Sequence, residues 1–164
     1  STGLNEADVA LQITQALARE LRERGADVRL LRDADETIEL NRRARESIRL
    51  EPDLFLSIHA NSIGVEDNPM ASRGPTTYHA HPHARGLAQA IQRRLAAMGD
   101  VRDNGVKTEN FRVLRPAQFP AVLVETLFVS HPGDEAKLLS ATWRARIAGA
   151  IAEGVEEFLR SAPR

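Results

Sequence analysis

The chain is 164 residues long and carries 22 basic against 23 acidic side chains, a net charge of −1 with histidine neutral. That length suits one domain with a sizeable core, and that charge excludes a polycationic nucleic-acid binder and an acidic disordered tail. Cysteine is absent, so disulfides, thiolate metal sites and cysteine nucleophiles are excluded, and a metal site must be built from His, Asp, Glu or water. No run approaches the roughly 20 apolar residues that span a bilayer. Ser1–Asn5 does not read as a signal peptide, so the signal of an exported form is expected to have been removed.

The first strong pattern is a helix. Val9, Ile13, Leu17 and Leu21 recur every four residues, Asn5 is placed to cap the N-terminus, and Glu6 and Asp8 stand where the helix dipole favours acids. Gly25 ends the helix, and Asp27–Leu31 reads as a short strand. A helix that feeds a buried strand normally follows an earlier strand, so a further element is expected upstream of Ser1. Thr37–Leu50 reads as a second helix ended by Pro52. Asp53–His59 (DLFLSIH) is the clearest buried strand, apolar almost without a break, as in a sheet covered on both faces. Asn61–Pro75 reads as a loop, Thr76–His79 as a short strand, His83–Met98 as a third helix and Gly99–Thr108 as a second loop. Phe111–Leu114 and Ala121–Glu125 read as strands. A short helix after Pro132 through Leu139 and a last one over Trp143–Leu159, striped by Ile147, Ile151, Val155 and Phe158, complete the chain. Helices and strands alternate without repeats or linkers, which describes a single three-layer α/β domain.

Ligands of open α/β sheets bind beyond the carboxyl ends of strands. His59 closes the strand DLFLSIH, and Glu125 closes AVLVE. Taken singly, His59 would be a hydrogen-bonded histidine at a sheet edge, and Glu125 a carboxylate paired with one of the many arginines. Together at two strand ends they make a site signal: a neutral imidazole can hold Zn²⁺, and a carboxylate beside it can take a proton from water. Glu6 by itself reads as a capping acid. His79, His81 and His83 form an H-x-H-x-H cluster that alternation could gather on one side of an extended chain, against the plainer reading of a solvated loop. His131 is a loop residue of unassigned role. Arg32, Arg42, Arg45 and Arg49 offer anion contacts or a solvated helix face. No P-loop, dinucleotide glycine pattern or G-x-S-x-G elbow is present. One Trp and one Tyr make no aromatic platform for nucleic acid.

Three stretches, NEADVALQITQALARELRERGADVRLLRDAD, LNRRARESIRLEPDLFLSIHAN and NGVKTENFRVLRPAQFPAVLVETLFVSHPGDEAKLL, occur in the order seen in the zinc-dependent N-acetylmuramoyl-L-alanine amidases (amidase type 3), bacterial cell-wall enzymes that the chain resembles over nearly its whole length. The resemblance implies a mixed, mostly parallel sheet of about six strands flanked by helices, over residues 1–164. It implies hydrolysis of the amide between the lactyl group of N-acetylmuramic acid and L-alanine of the stem peptide. Glu6 matches the family's glutamate zinc ligand, His59 its second histidine ligand and Glu125 its catalytic glutamate. The strand that donates the first histidine ligand is not matched and is expected upstream of Ser1. His131 stands where Asn is usual, and Leu127 where Gly is usual.

The implied cofactor is Zn²⁺ and the implied partner is peptidoglycan, with no nucleic acid and no membrane span. The implied location is the cell envelope, periplasmic or secreted. The protein is expected to be a monomer. Some relatives carry an inhibitory insertion between positions 61 and 76; this segment is short, so an open site that needs no activator is expected. Two alternatives stand beside this reading: a non-catalytic cell-wall binding module on the same fold, and another zinc metallopeptidase built on His79, His81 and His83.

Overall fold

Asn5 caps the first helix as its type and place predict: its Oδ1 accepts from the amide of Ala7 at 2.9 Å, and α1 runs Glu6–Glu23. The computed structural model of the chain describes residues 3–62, 68 and 70–161. Gly25, at φ +91°, supplies the left-handed residue just past the helix end that only glycine adopts at little cost. The second helix, α2, spans Leu40–Leu50, so Thr37–Glu39 of the expected helix lies outside it.

Four strands form the sheet: β1 Phe55–Asn61, β2 Thr76–His79, β3 Val106–Thr108 and β4 Ala121–Phe128. Their order is β1-β4-β2-β3. The pairs β1·β4 and β2·β3 are parallel and β2·β4 is antiparallel. The mixed sheet is thus as expected in class, but four strands rather than about six are found among the described residues. Asp27–Leu31 is not a strand. Val28 and Leu30 are half-buried, which accounts for the apolar pattern, but no described strand lies beside them to complete a ladder. The Val28 carbonyl is taken instead by the Arg22 side chain at 2.9 Å.

Phe111–Leu114 is also not a strand. Arg112–Leu114 winds into a 3-10 turn, closed by the bond from the amide of Leu114 to the carbonyl of Phe111 at 2.9 Å. The turn buries the consecutive residues Val113 and Leu114, where a strand would have turned one of them away. The expected loop Gly99–Thr108 ends in β3, a short edge strand with too few apolar residues to signal itself. Pro82–Ala84 forms a 3-10 turn that leads into α3, Arg85–Ala96. The closing helices are α4, Pro132–Leu139, and α5, Ala141–Ser161.

Alternation along the strands divides the core. On one face Ile58, Ala60, Val122 and Val124 pack with Val9, Ile13 and Leu17 of α1, Leu87 and Ile91 of α3, and Ile147 and Ile151 of α5. Complete burial of such a side chain contributes about 1.5–3 kcal/mol. Gly154 lets α5 approach α3: a Cβ there would lie 2.6 Å from the Cα of Ile91. On the other face Ala121, Leu123 and Phe119 pack with Val113 and Leu114 of the 3-10 turn. That layer is thin.

Candidate active site at the ends of two strands

His59 and Glu125 are direct partners in the parallel register of β1 and β4. Paired residues project on the same side of a sheet, and here it is the thinly covered face. The strand ends are locked around them. Thr126 Oγ1 donates to the carbonyl of His59 at 2.9 Å, and the amide of Val129 donates to the carbonyl of Asn61 at 2.8 Å. A register shift between His59 and Asn61 breaks the ladder at this point, as irregularities beside active sites commonly do to re-aim a side chain.

The third residue arrives from the helical layer. Glu6, in the first turn of α1, brings Oε1 to 3.2 Å from Nδ1 of His59. The plainer reading of Glu6 as a capping acid therefore gives way: Asn5 makes the side-chain cap, and Glu6 turns to the histidine. The other imidazole nitrogen, Nε2, lies 3.1 Å from Oγ of Ser57. Ser57 went unassigned in the sequence, although strand alternation alone puts residues 57 and 59 on one face. A hydroxyl that can donate or accept suits either tautomer of the ring.

Glu125 has a carboxylate oxygen, Oε2, that is buried without a hydrogen-bond partner. Burial pushes its carboxyl up to about 7, against the pull of His59 and with the help of the Glu6 charge. An orphaned oxygen on an acid that both takes and releases a proton near neutrality is what general acid–base catalysis requires. His59, Glu6 and Glu125 thus stand together. Among the described residues no group of three or more His, Cys, Asp or Glu is arranged to hold one metal ion, so the potential ligands present are the pair His59 and Glu6.

The histidine cluster is not a site of that kind. His79 is buried with Nδ1 at 3.2 Å from the carbonyl of His81, His81 puts Nε2 at 2.9 Å from the carbonyl of Arg115, and His83 stacks on His81 with ring centroids 5.6 Å apart. His131 acquires a role: its Nδ1 accepts from the amide of Asp134 at 3.2 Å, so the imidazole caps α4. Arg49 pairs with Glu46, and Arg42 and Arg45 are exposed, a solvated helix face. Arg32 is half-buried. Residues 63–67 and 69, within the segment expected to leave the site open, lie outside the described residues.

Comparisons with known proteins agree with the fold. A model of the N-acetylmuramoyl-L-alanine amidase family matches residues 1–157. The chain is 38% identical over 159 residues to N-acetylmuramoyl-L-alanine amidase LytC of Bacillus subtilis, covering 96% of this chain and 32% of that protein. It is 30% identical to the probable cell wall amidase LytH of Staphylococcus aureus, covering 92% of this chain and 49% of that one. It therefore spans about a third to a half of these two relatives. Among solved structures, the catalytic domain of the amidase CwlV from Bacillus (Paenibacillus) polymyxa superposes with a TM-score of 0.89 at 30% identity, over 98% of this chain and 88% of that one. The amidase AmiC2 of Nostoc punctiforme gives 0.90 at 31% identity, over 96% and 86%.

Proposed function

The chain belongs to the N-acetylmuramoyl-L-alanine amidase family, and we propose that it hydrolyses the amide between N-acetylmuramic acid and the L-alanine of the peptidoglycan stem peptide. The observation that carries this reading is the convergence of Glu6, His59 and Glu125, drawn from a helix and two neighbouring strands.

Zinc is part of the proposal, and the donor set is its test. His59 presents Nδ1 toward the Glu6 carboxylate while Ser57 engages Nε2, the way a neutral imidazole is oriented for a metal by a partner on its other nitrogen. The residues present therefore fit two protein positions of a zinc site. When bound, zinc supplies Lewis acidity toward a carbonyl and lowers the pKa of a water to about 7. The remaining protein ligand is proposed to come from a further strand along the outer edge of β1. That edge has no partner among the described residues, and residues 26–31 form no strand.

Glu125 does the proton work. Its unpartnered Oε2 accepts a proton from water as the water oxygen bonds to the scissile carbonyl carbon. The same proton passes to the L-alanine nitrogen as the C–N bond breaks, and the carboxylate is restored. The products are a lactyl carboxylic acid and a free stem-peptide amine. Ser57 holds the imidazole of His59, and the Thr126 bond to its carbonyl holds the strand end.

Substrate and setting follow from the same reading. Peptidoglycan lies in the cell envelope, and among the described residues no helix is long and apolar enough to cross a membrane. We propose action as a monomer without a separate activator. Purified protein supplied with zinc and incubated with isolated sacculi should release free stem peptides, seen by mass spectrometry of the soluble fraction. Binding to sacculi with no release would favour a non-catalytic wall module on this fold. Release only after adding a second protein would overturn the activator-free reading.

A further inference from the structure

Strand register sets two rows of side chains across one face of the sheet. His59, Glu125 and Thr76 make one row, and Ser57, Leu123 and Tyr78 make the next. Tyr78 is thus a diagonal neighbour of Glu125, a separation that an aromatic side chain can bridge. Burial pushes the Tyr78 phenol up, the Glu125 charge adds to the push, a hydrogen bond with the Thr76 side chain opposes it, and the Glu109 charge adds again. The phenol therefore lies back toward Thr76, level with Glu125, rather than toward the far end of β2.

Phe111 stands against Tyr78, with ring centroids 5.2 Å apart and planes at 76°. The amide of Glu109 donates to the carbonyl of His79 at 3.0 Å, which ties this segment to the end of β2. Val113, Leu114 and Phe119 of the same layer are at most 3% exposed, whereas Phe111 is 38% exposed. A lone exposed ring elsewhere on a surface calls for no explanation. This one continues, through Tyr78, the face that carries His59 and Glu125. Two chemically different groups flank the scissile amide. The stem peptide carries carboxylates, which the charges of Glu125 and Glu109 around the phenol disfavour. The sugar is uncharged, and its ring offers a face of C–H bonds that packs flat on an aromatic ring.

We propose that Phe111 and Tyr78 form the sugar subsite of the reaction, with the N-acetylmuramic acid ring stacked on the exposed face of Phe111 and Tyr78 bracing Phe111 beside Glu125. The inference rests on the amidase reading and adds to it the side of Glu125 that the glycan half of the substrate occupies, which is the β2 side. Stacking of this kind is worth about 3–10-fold in affinity.

Two soluble substrates test this with the zinc-supplied full chain: an N-acetylmuramyl peptide, and the matching lactyl peptide, which keeps the same amide and lacks the sugar. The ratio of kcat/KM should favour the muramyl form by about 3–10-fold. F111Y, which keeps a flat ring, should retain that preference, and F111L, which keeps only apolar bulk, should bring it to near unity. L139A, which removes an exposed apolar side chain at the end of α4, should leave the preference as it was. Equal kcat/KM on the two substrates overturns the subsite, and so does a preference that survives F111L. Circular dichroism reports that each variant is folded; if F111L is not, Y78L, which removes the brace, replaces it under the same expectation. If neither substrate is cut, the amidase reading fails, and calorimetric titration with the same two compounds decides the subsite by the same ratio.

Discussion

Oγ of Ser57 lies 3.1 Å from Nε2 of His59, and this contact holds the ring with Nδ1 toward Glu6 whichever nitrogen carries the proton. With Nδ1 protonated toward Glu6, the hydroxyl donates to Nε2. With Nδ1 needed as a lone pair for zinc, the hydroxyl rotates and accepts from Nε2–H. Alanine at this position can do neither. Ser57→Ala is therefore expected to lower zinc affinity and turnover by about 10–100-fold, while the loss of one hydrogen bond costs only about 1 kcal/mol of stability. Competition with a zinc chelator, set beside thermal melting, separates the two effects. Unchanged zinc affinity in a folded variant would remove Ser57 from the site.

Glu125 predicts a conflict between stability and activity. Its carboxyl is raised from an ordinary 4.5 to about 7 in the fold, so between those values the native state holds a proton that the unfolded chain has released. Stability then falls as pH rises through this window, and the full penalty is present above about pH 7. A rise of that size corresponds to about 3 kcal/mol. Glu125→Gln, which stays neutral, should be more stable than the parent by up to about 3 kcal/mol at pH 8 and no more stable at pH 4, measured by urea unfolding of the zinc-free protein. The same substitution should abolish release of stem peptide while leaving zinc bound. Retained turnover would sink the proton-transfer role.

These two residues illustrate what a sequence discloses. His59 and Glu125 were legible because a nearly unbroken apolar run that ends in a polar side chain marks the mouth of a buried parallel strand. Glu6 was ambiguous, since an acid in the first turn of a helix serves the dipole equally well; only the approach of α1 to β1 decides it. Ser57 was hidden inside the apolar run. Asp27–Leu31 and Phe111–Leu114 have the composition of strands, but a strand exists only beside a partner. The first finds none among the described residues, and the second buries consecutive residues by winding into a turn.

The cluster around His79 gives a contrary prediction to that of a second metal centre. His79 and His81 already direct ring nitrogens at backbone carbonyls, and His83 lies flat against His81. These contacts join the end of β2 to the segment after the Arg112–Leu114 turn. His79→Ala and His81→Ala should leave the zinc content of the protein unchanged and lower the melting temperature instead, His79→Ala more, because His79 is buried. Loss of zinc from either variant, by atomic absorption after dialysis, would revive the reading of a metallopeptidase site.

A single buried carboxylate ties the loop before β2 to the end of β4. Asp134 is 2% exposed, and its Oδ2 accepts both the amide of Gly74 at 2.7 Å and that of Phe128 at 3.1 Å. Gly74 cannot be replaced there without strain: its φ is +84°, and a Cβ would sit 1.9 Å from the carbonyl oxygen of Arg102. Phe128 lies three residues past Glu125 on the same strand, so slack at Asp134 reaches the site. Asp134→Ala leaves two buried amides without an acceptor, at about 1–3 kcal/mol each, and should cost about 3 kcal/mol or more. Both bonds end on one oxygen, so the single carbonyl of asparagine can keep both. Asp134→Asn should lose about 1 kcal/mol, the difference between charged and neutral acceptors. Chemical denaturation of the two variants side by side measures the gap, and equal losses would mean that the negative charge, not the shared acceptor, holds this junction.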